Sequence, residues 1–125
     1  MFPINTPHAP TPIGPYSQAI KAGNWLYCSG QVAIDPESGT FISGDVTDET
    51  HRVMRNLHAV LQAGGANWAS VVKCGIFLTD MTDFAAVNKV YAAYFGDHHP
   101  ARETVAVKAL PAGARVEISC VALIS

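Results

Sequence analysis

A chain of 125 residues with eight Lys and Arg, none in a run, and a net charge of −2 offers no cationic footprint for a phosphate backbone, which argues against nucleic acid as a partner. The length allows a single domain, 1–125, that buries roughly two thirds of its unfolded surface and leaves no room for a second. Charged residues make up 14% of the chain against ~25% in ordinary soluble domains, so another subunit is expected to cover part of the surface.

Five of the eight prolines lie in residues 1–15, a density that predicts an extended, irregular arm rather than regular structure. That N-terminus has no basic region followed by an apolar stretch, and no apolar run approaches ~18 residues. A cytoplasmic protein with no membrane partner is the expectation. Ser17 to Lys21, the Gly23-Asn24 turn and Trp25 to Ser29 read as a β-hairpin, with Val32-Ala33-Ile34 as a short strand continuation before the turn Asp35 to Gly39.

The first helix is predicted from about Val46 to Ala63. Asp45 supplies its N-cap, Asp48 and Glu49 suit the first turn, and Gly64-Gly65 ends it. Val46, Val53, Leu57, Val60 and Leu61 make its apolar face. Val71 to Thr79 is a nearly continuous apolar run and suits a central strand covered on both faces. A second helix begins near Thr82 or Asp83 and ends at Gly96, with Phe84, Val87, Tyr91, Tyr94 and Phe95 as its stripe.

Arg102 then opens a strand-turn-strand unit. Val105 and Val107 alternate with Thr104, Ala106 and Lys108, Leu110 to Gly113 breaks the pattern, and Val116, Ile118, Cys120 and Ala122 resume a period of two. Such alternation around a Pro/Gly breaker predicts a hairpin or two adjacent strands, with Arg102 facing mid-strand Glu117 across the sheet. A guanidinium fork beside an acid can bind a carboxylate and handle a proton. Alternatively, the pair is a surface arginine and a structural ion pair of Glu117 with Arg102, Arg115 or Lys108.

The resulting order, ββ(β)αβαββ, is an α+β arrangement in which two helices cover one face of a single sheet. Glu117, Ser119, Val121 and Leu123 share the other face of the last strand, which predicts subunit association. Cys28, Cys74 and Cys120 lie in apolar runs and are odd in number, so they read as buried thiols rather than a disulfide framework. His51, His58, His98 and His99 form no closed ligand set and read as solvated side chains, so no metal is expected.

Pro100-Ala101-Arg102-Glu103-Thr104-Val105, then Leu110-Pro111, then Val116-Glu117-Ile118 resembles the C-terminal signature of the RidA family. Gly14-Pro15-Tyr16-Ser17-Gln18-Ala19, Ser29-Gly30-Gln31 and the segment around Asn88 resemble its other recurrent stretches, in the same order. The resemblance implies a homotrimer of chorismate-mutase-like subunits, sheets inward, with a site at the subunit interface. It also implies hydrolysis of 2-iminopropanoate and 2-iminobutanoate to 2-keto acids and ammonia without a cofactor. On the matching positions it implies that Arg102 grips the substrate carboxylate and Glu117 activates water. Tyr16, Ser29 and Gly30 would line the cleft, with Asn88 beside it. At Thr104 the well-known members carry cysteine and others do not, so a thiol cannot be essential, and threonine can serve in substrate binding through its carbonyl or hydroxyl. Two other readings share these residues: a non-catalytic keto-acid binder, and a deaminase of an aminomuconate-type or aminoacrylate-derived intermediate.

Overall fold

The computed structural model describes residues 1–124. One six-stranded sheet carries two helices, α1 (Val46–Ala63) and α2 (Phe84–Phe95), on one face. The strands are β1 (Phe2–Ile4), β2 (Ala19–Ala22), β3 (Trp25–Gln31), β4 (Val71–Leu78), β5 (Ala101–Ala106) and β6 (Val116–Leu123), in the spatial order β1-β2-β3-β6-β4-β5. All neighbours are antiparallel except β4 and β5, which the α2 crossover joins in parallel.

Local signals account for α1. The Asp45 carboxylate accepts from the Asp48 N–H at the start of α1, and the helix closes at Gly64. Val53, Leu57, Val60 and Leu61 are buried against Leu26, Ile76, Ile118 and Ala122 of the sheet, and together they form the core. Burying each such side chain contributes roughly 1.5–3 kcal/mol, which is why the amphipathic stripe decides where the helix sits.

Four details differ from the sequence expectations. The arm is not wholly irregular: Phe2–Ile4 pairs with β2, and Pro3 is tolerated because β1 is an edge strand. Residues 32–34 form no strand; Ile34 makes only an isolated bridge to Phe41. β4 is interior but covered by helices on one face alone, leaving Val72 exposed and Phe77 half-buried. Lastly, β5 and β6 are not adjacent, because β4 lies between them. β6 is apolar at Val116, Ile118, Cys120 and Ala122, all buried, and it takes the centre; β5 carries Arg102 and Glu103 and stays at the edge.

The helix-free face of the sheet presents Trp25, Tyr27, Val105 and Leu123, each at least 40% exposed. Register places Trp25 beside Leu123 and Tyr27 beside Val121, so these side chains form one apolar surface that also carries Glu117. On the opposite face Cys28, Cys120 and Cys74 stand in one row across three strands, all buried and all free thiols. Burial raises the Cys74 thiol to about 11, so it stays protonated and unreactive at neutral pH. No helix is long and apolar enough to cross a membrane among the described residues.

Candidate active site

Glu117 lies at the second position of β6, where the alternation turns it away from the helices. It opens into a cleft of about 380 Å³ whose walls are the arm (Pro10, Ile13, Tyr16), the end of β3 (Ser29, Gly30) and Pro111. The carboxyl is half-buried, and burial raises its proton affinity above that of an ordinary glutamate. No ion pair to Arg102, Arg115 or Lys108 forms: the two salt bridges among the described residues are Lys73–Glu103 and Arg115–Glu49.

Gly30 explains how the carboxyl sits. A Cβ built there would lie 2.7 Å from Glu117 Cδ, so the acid rests directly on the glycine main chain. Ser29 is more committed than its sequence suggested. Its hydroxyl donates to the Ser17 carbonyl at 2.6 Å and its N–H to the Gln18 carbonyl at 2.9 Å, leaving the oxygen only an accepting role toward a ligand. Tyr16 is half-exposed at the mouth.

Arg102 occupies a different place. Its register partner is Cys74, which faces the helices, and its Nη1 donates to Asn88 Oδ1 on α2 at 2.7 Å. The guanidinium lies 5.0 Å from the Tyr91 ring centroid and 5.6 Å from that of Phe84, contacts that orient the fork without consuming its charge. A second cleft surrounds it, lined by Asn88, Tyr91, Phe95, His98, His99 and Pro100. Among the described residues no carboxylate pairs with Arg102.

Within one chain, then, Tyr16, Ser29, Gly30 and Glu117 share one cleft and Arg102 and Asn88 share another. The expectation that Arg102 faces Glu117 across the sheet is corrected: β4 separates their strands, and the two side chains leave opposite faces. Thr104 lines neither cleft. It follows Arg102 on the same face, its register partner is Ile76, and its buried hydroxyl finds no hydrogen-bond partner.

Three of the four histidines expected to be solvated, His51, His58 and His98, are instead packed, while His99 is exposed. His98 Nε2 lies 2.7 Å from the Val71 carbonyl, His51 Nδ1 is 2.9 Å from the Tyr94 hydroxyl, and His58 stacks on Trp68. Among the described residues no three His, Cys, Asp or Glu side chains gather as a metal site.

Three buried polar residues that the sequence reading gave no role in the site hold the walls of the Glu117 cleft. Gln18 binds the arm through the Thr6 N–H and the carbonyls of Thr6, Ala9 and Pro10. Asn56 donates to the carbonyls of Val32 and Ile34. Glu49 accepts from the main chain at the start of β6. For Glu49 and Asn56 a signal existed, since both fall at helical spacing with Val53 and Val60 on the apolar stripe of α1. Gln18 had none.

Residues 6–124 match the protein-family profile described as Endoribonuclease L-PSP. A mouse protein named 2-iminobutanoate/2-iminopropanoate deaminase is 45% identical over 120 residues, 96% of this chain and 89% of its own. Among solved structures, a Thermotoga maritima protein superposes with a TM-score of 0.98 at 46% identity, covering 100% of this chain and 98% of that one. Escherichia coli TdcF, determined with bound serine, superposes with a TM-score of 0.95 at 34% identity, covering both chains fully.

Proposed function

The chain belongs to the RidA family, and from that premise we propose that it hydrolyses short 2-imino acids to 2-keto acids and ammonia at a site built between copies of itself. The observation that carries this reading is the division of labour between the two clefts. One holds an acid/base group and no cation; the other holds an oriented, unpaired cation and no acid/base carboxylate. A carboxylate-bearing substrate that must also meet a proton-transfer group needs both. The exposed apolar face that carries Glu117 gives the copies a reason to associate, and a closed homotrimer of about 40 kDa hides it on every subunit.

In this reading the Arg102 fork grips the substrate carboxylate in bidentate fashion, as a lysine could not. Glu117, from the neighbouring copy, takes a proton from water as the oxygen adds to the imine carbon. It passes that proton to the imine nitrogen to complete the carbinolamine, then takes the carbinolamine hydroxyl proton and delivers it to the same nitrogen as the C–N bond breaks and the C=O bond forms, so imine plus water becomes ketone plus ammonia. A carboxyl whose proton affinity is raised by burial suits both halves of the transfer. Tyr16, Ser29 and Gly30 shape the cleft around the reacting carbon, and Asn88 aims the guanidinium. Since 2-imino acids already react with water, orientation and one acid/base group supply the required rate.

Relatives support the reading in two ways: the mouse protein carries the deaminase name, and TdcF holds serine, itself a carboxylate bearing nitrogen on its α-carbon. The test generates the imine in place with a PLP-dependent threonine dehydratase in amine-free buffer and follows keto acid release. Acceleration by the unmutated protein, lost in Arg102→Ala and much reduced in Glu117→Gln, is the expected result. If keto acid binds but no imine, including aminomuconate-type or aminoacrylate-derived ones, is turned over, the non-catalytic binding reading replaces this one.

A further inference from the structure

Glu49 is 1% exposed and lies in the first turn of α1, outside the lining of the Glu117 cleft and far along the chain from β6. Its Oε2 accepts from two consecutive main-chain donors, Arg115 N–H at 2.7 Å and Val116 N–H at 3.2 Å, while Oε1 accepts from Arg115 Nε at 2.8 Å. Arg115 is also held elsewhere: its Nη2 donates to the Gly44 carbonyl at 2.6 Å and its own carbonyl accepts from Thr79 N–H at 3.1 Å. Residue 115 is thereby fixed at its amide, its carbonyl and its side chain. Glu117 follows two positions later.

The segment leading into this clamp needs holding. Ala112 adopts φ 58°, the left-handed region that an L side chain occupies only at a cost, and Pro111 beside it is a wall of the Glu117 cleft. Such a conformation persists where the surroundings over-determine it. The strand cannot slide or tilt at its start without breaking charge-assisted hydrogen bonds to a carboxylate that has no solvent to fall back on.

We propose that Glu49 is a positioning residue for the reaction: by clamping Arg115 and Val116 it sets the depth at which the Glu117 carboxyl rests on Gly30, next to Pro111 and Tyr16. An acid/base group misplaced by a fraction of an ångström loses much of its effect, so the helix-borne carboxylate acts on the chemistry through the backbone it holds. The proposal rests on the reading of Glu117 as the proton-transfer group, and its test is arranged to judge the two separately.

The chain has four glutamates, Glu37, Glu49, Glu103 and Glu117, so protein labelled with ¹³C at glutamate Cδ gives four carboxyl signals, and Glu117→Gln assigns the one of interest. Tyr16 is the other titratable group lining that cleft among the described residues. In Glu49→Gln, which keeps the side-chain shape but brings an NH₂ against Arg115, the Glu117 midpoint is expected to fall back toward an ordinary glutamate as the carboxyl loses its seat. The kcat for imine hydrolysis should drop about tenfold while KM changes little, because Arg102 still holds the substrate. An unchanged Glu117 titration and kcat beside a lowered Tm makes the clamp purely structural and overturns the proposal. If Glu49→Gln does not fold, Glu49→Asp decides by the same two readouts, since it keeps the buried charge but draws the carboxylate back by one methylene from both main-chain donors. Should the unmutated protein hydrolyse no imine, the functional reading fails while the titration still judges the clamp.

Discussion

Arg102 and Glu117 leave opposite faces of the same sheet, with β4 between their strands. Strands lie about 4.8 Å apart, so two strand steps and three residues of offset along β6 put their Cα atoms roughly 14 Å from each other. A short imino acid cannot touch both within one subunit. If the two act in one reaction, each site takes its arginine from one copy and its glutamate from the next.

Mixing inactive variants tests that geometry directly. Trimers reassembled from equal amounts of Arg102→Ala and Glu117→Gln subunits contain intact sites wherever an Arg102 of one faces a Glu117 of the other, about a quarter of all interfaces in a head-to-tail ring. Recovery of activity to about that fraction is expected, from two parents that are each nearly inactive. Light scattering on the same samples should give about 40 kDa, three times the 13.3 kDa chain. No recovery on mixing, with subunit exchange verified by mass, refutes the shared site.

Gly30 offers a substitution that reaches Glu117 without altering it. An added Cβ would approach Glu117 Cδ to 2.7 Å, closer than real contacts, so the carboxyl must swing away from the β3 main chain. Gly30→Ala is expected to fold and assemble while kcat drops by roughly 10²-fold, the scale of a 1 Å misplacement. Wild-type turnover in this variant would show that the position of the carboxyl is not what limits the rate.

Burial of Glu117 gives a signed pH dependence. Its folded-state affinity for a proton is raised, so ionisation costs more in the folded protein than in the unfolded chain. The group's stabilising contribution is therefore complete below the unfolded value near 4.3 and is lost as pH rises through the higher folded value. Two results follow: the acid limb of kcat/KM lies above the ordinary glutamate range, and Glu117→Gln raises Tm at neutral pH but not at about pH 3. A neutral-pH Tm for Glu117→Gln below that of the parent contradicts the desolvation argument.

How much of this was legible before the fold depends on how local each signal is. Asp45 caps α1 through its own next turn, so a cap residue followed by an apolar stripe located the helix. The period of two at Val105 and at Val116 to Ala122 revealed strands, yet alternation says nothing of partners, and the insertion of β4 between β5 and β6 stayed hidden. For the same reason Glu117 could be given a face by parity within β6, whereas Arg102 on another strand could not be compared without the register through Cys74. Residues Tyr16, Ser29, Gly30 and Glu117, far apart in the chain, line one cleft. Their supports, Gln18 above all, bind main-chain atoms, and a glutamine near a strand start leaves no pattern to read.

Gln18 supplies the last prediction. It is 2% exposed, its Oε1 accepts from Thr6 N–H at 2.7 Å, and its Nε2 reaches the carbonyls of Thr6, Ala9 and Pro10 at 3.1, 3.3 and 2.9 Å. Between Pro10 and Ser17 the arm has only the local Tyr16 to Gly14 hydrogen bond, so Gln18 and Ser29 hold the two ends of the segment carrying Ile13 and Tyr16. Gln18→Ala strips buried polar groups of their partners and is expected to cost about 2–4 kcal/mol. The arm should then become sensitive to limited proteolysis between residues 6 and 16, and KM should rise as the wall of the cleft loosens. Gln18→Glu should fare no better, because a carboxylate keeps the bond to Thr6 N–H but turns an acceptor on three carbonyl oxygens. An arm as protease-resistant in both variants as in the parent would show that β1 pairing alone holds it.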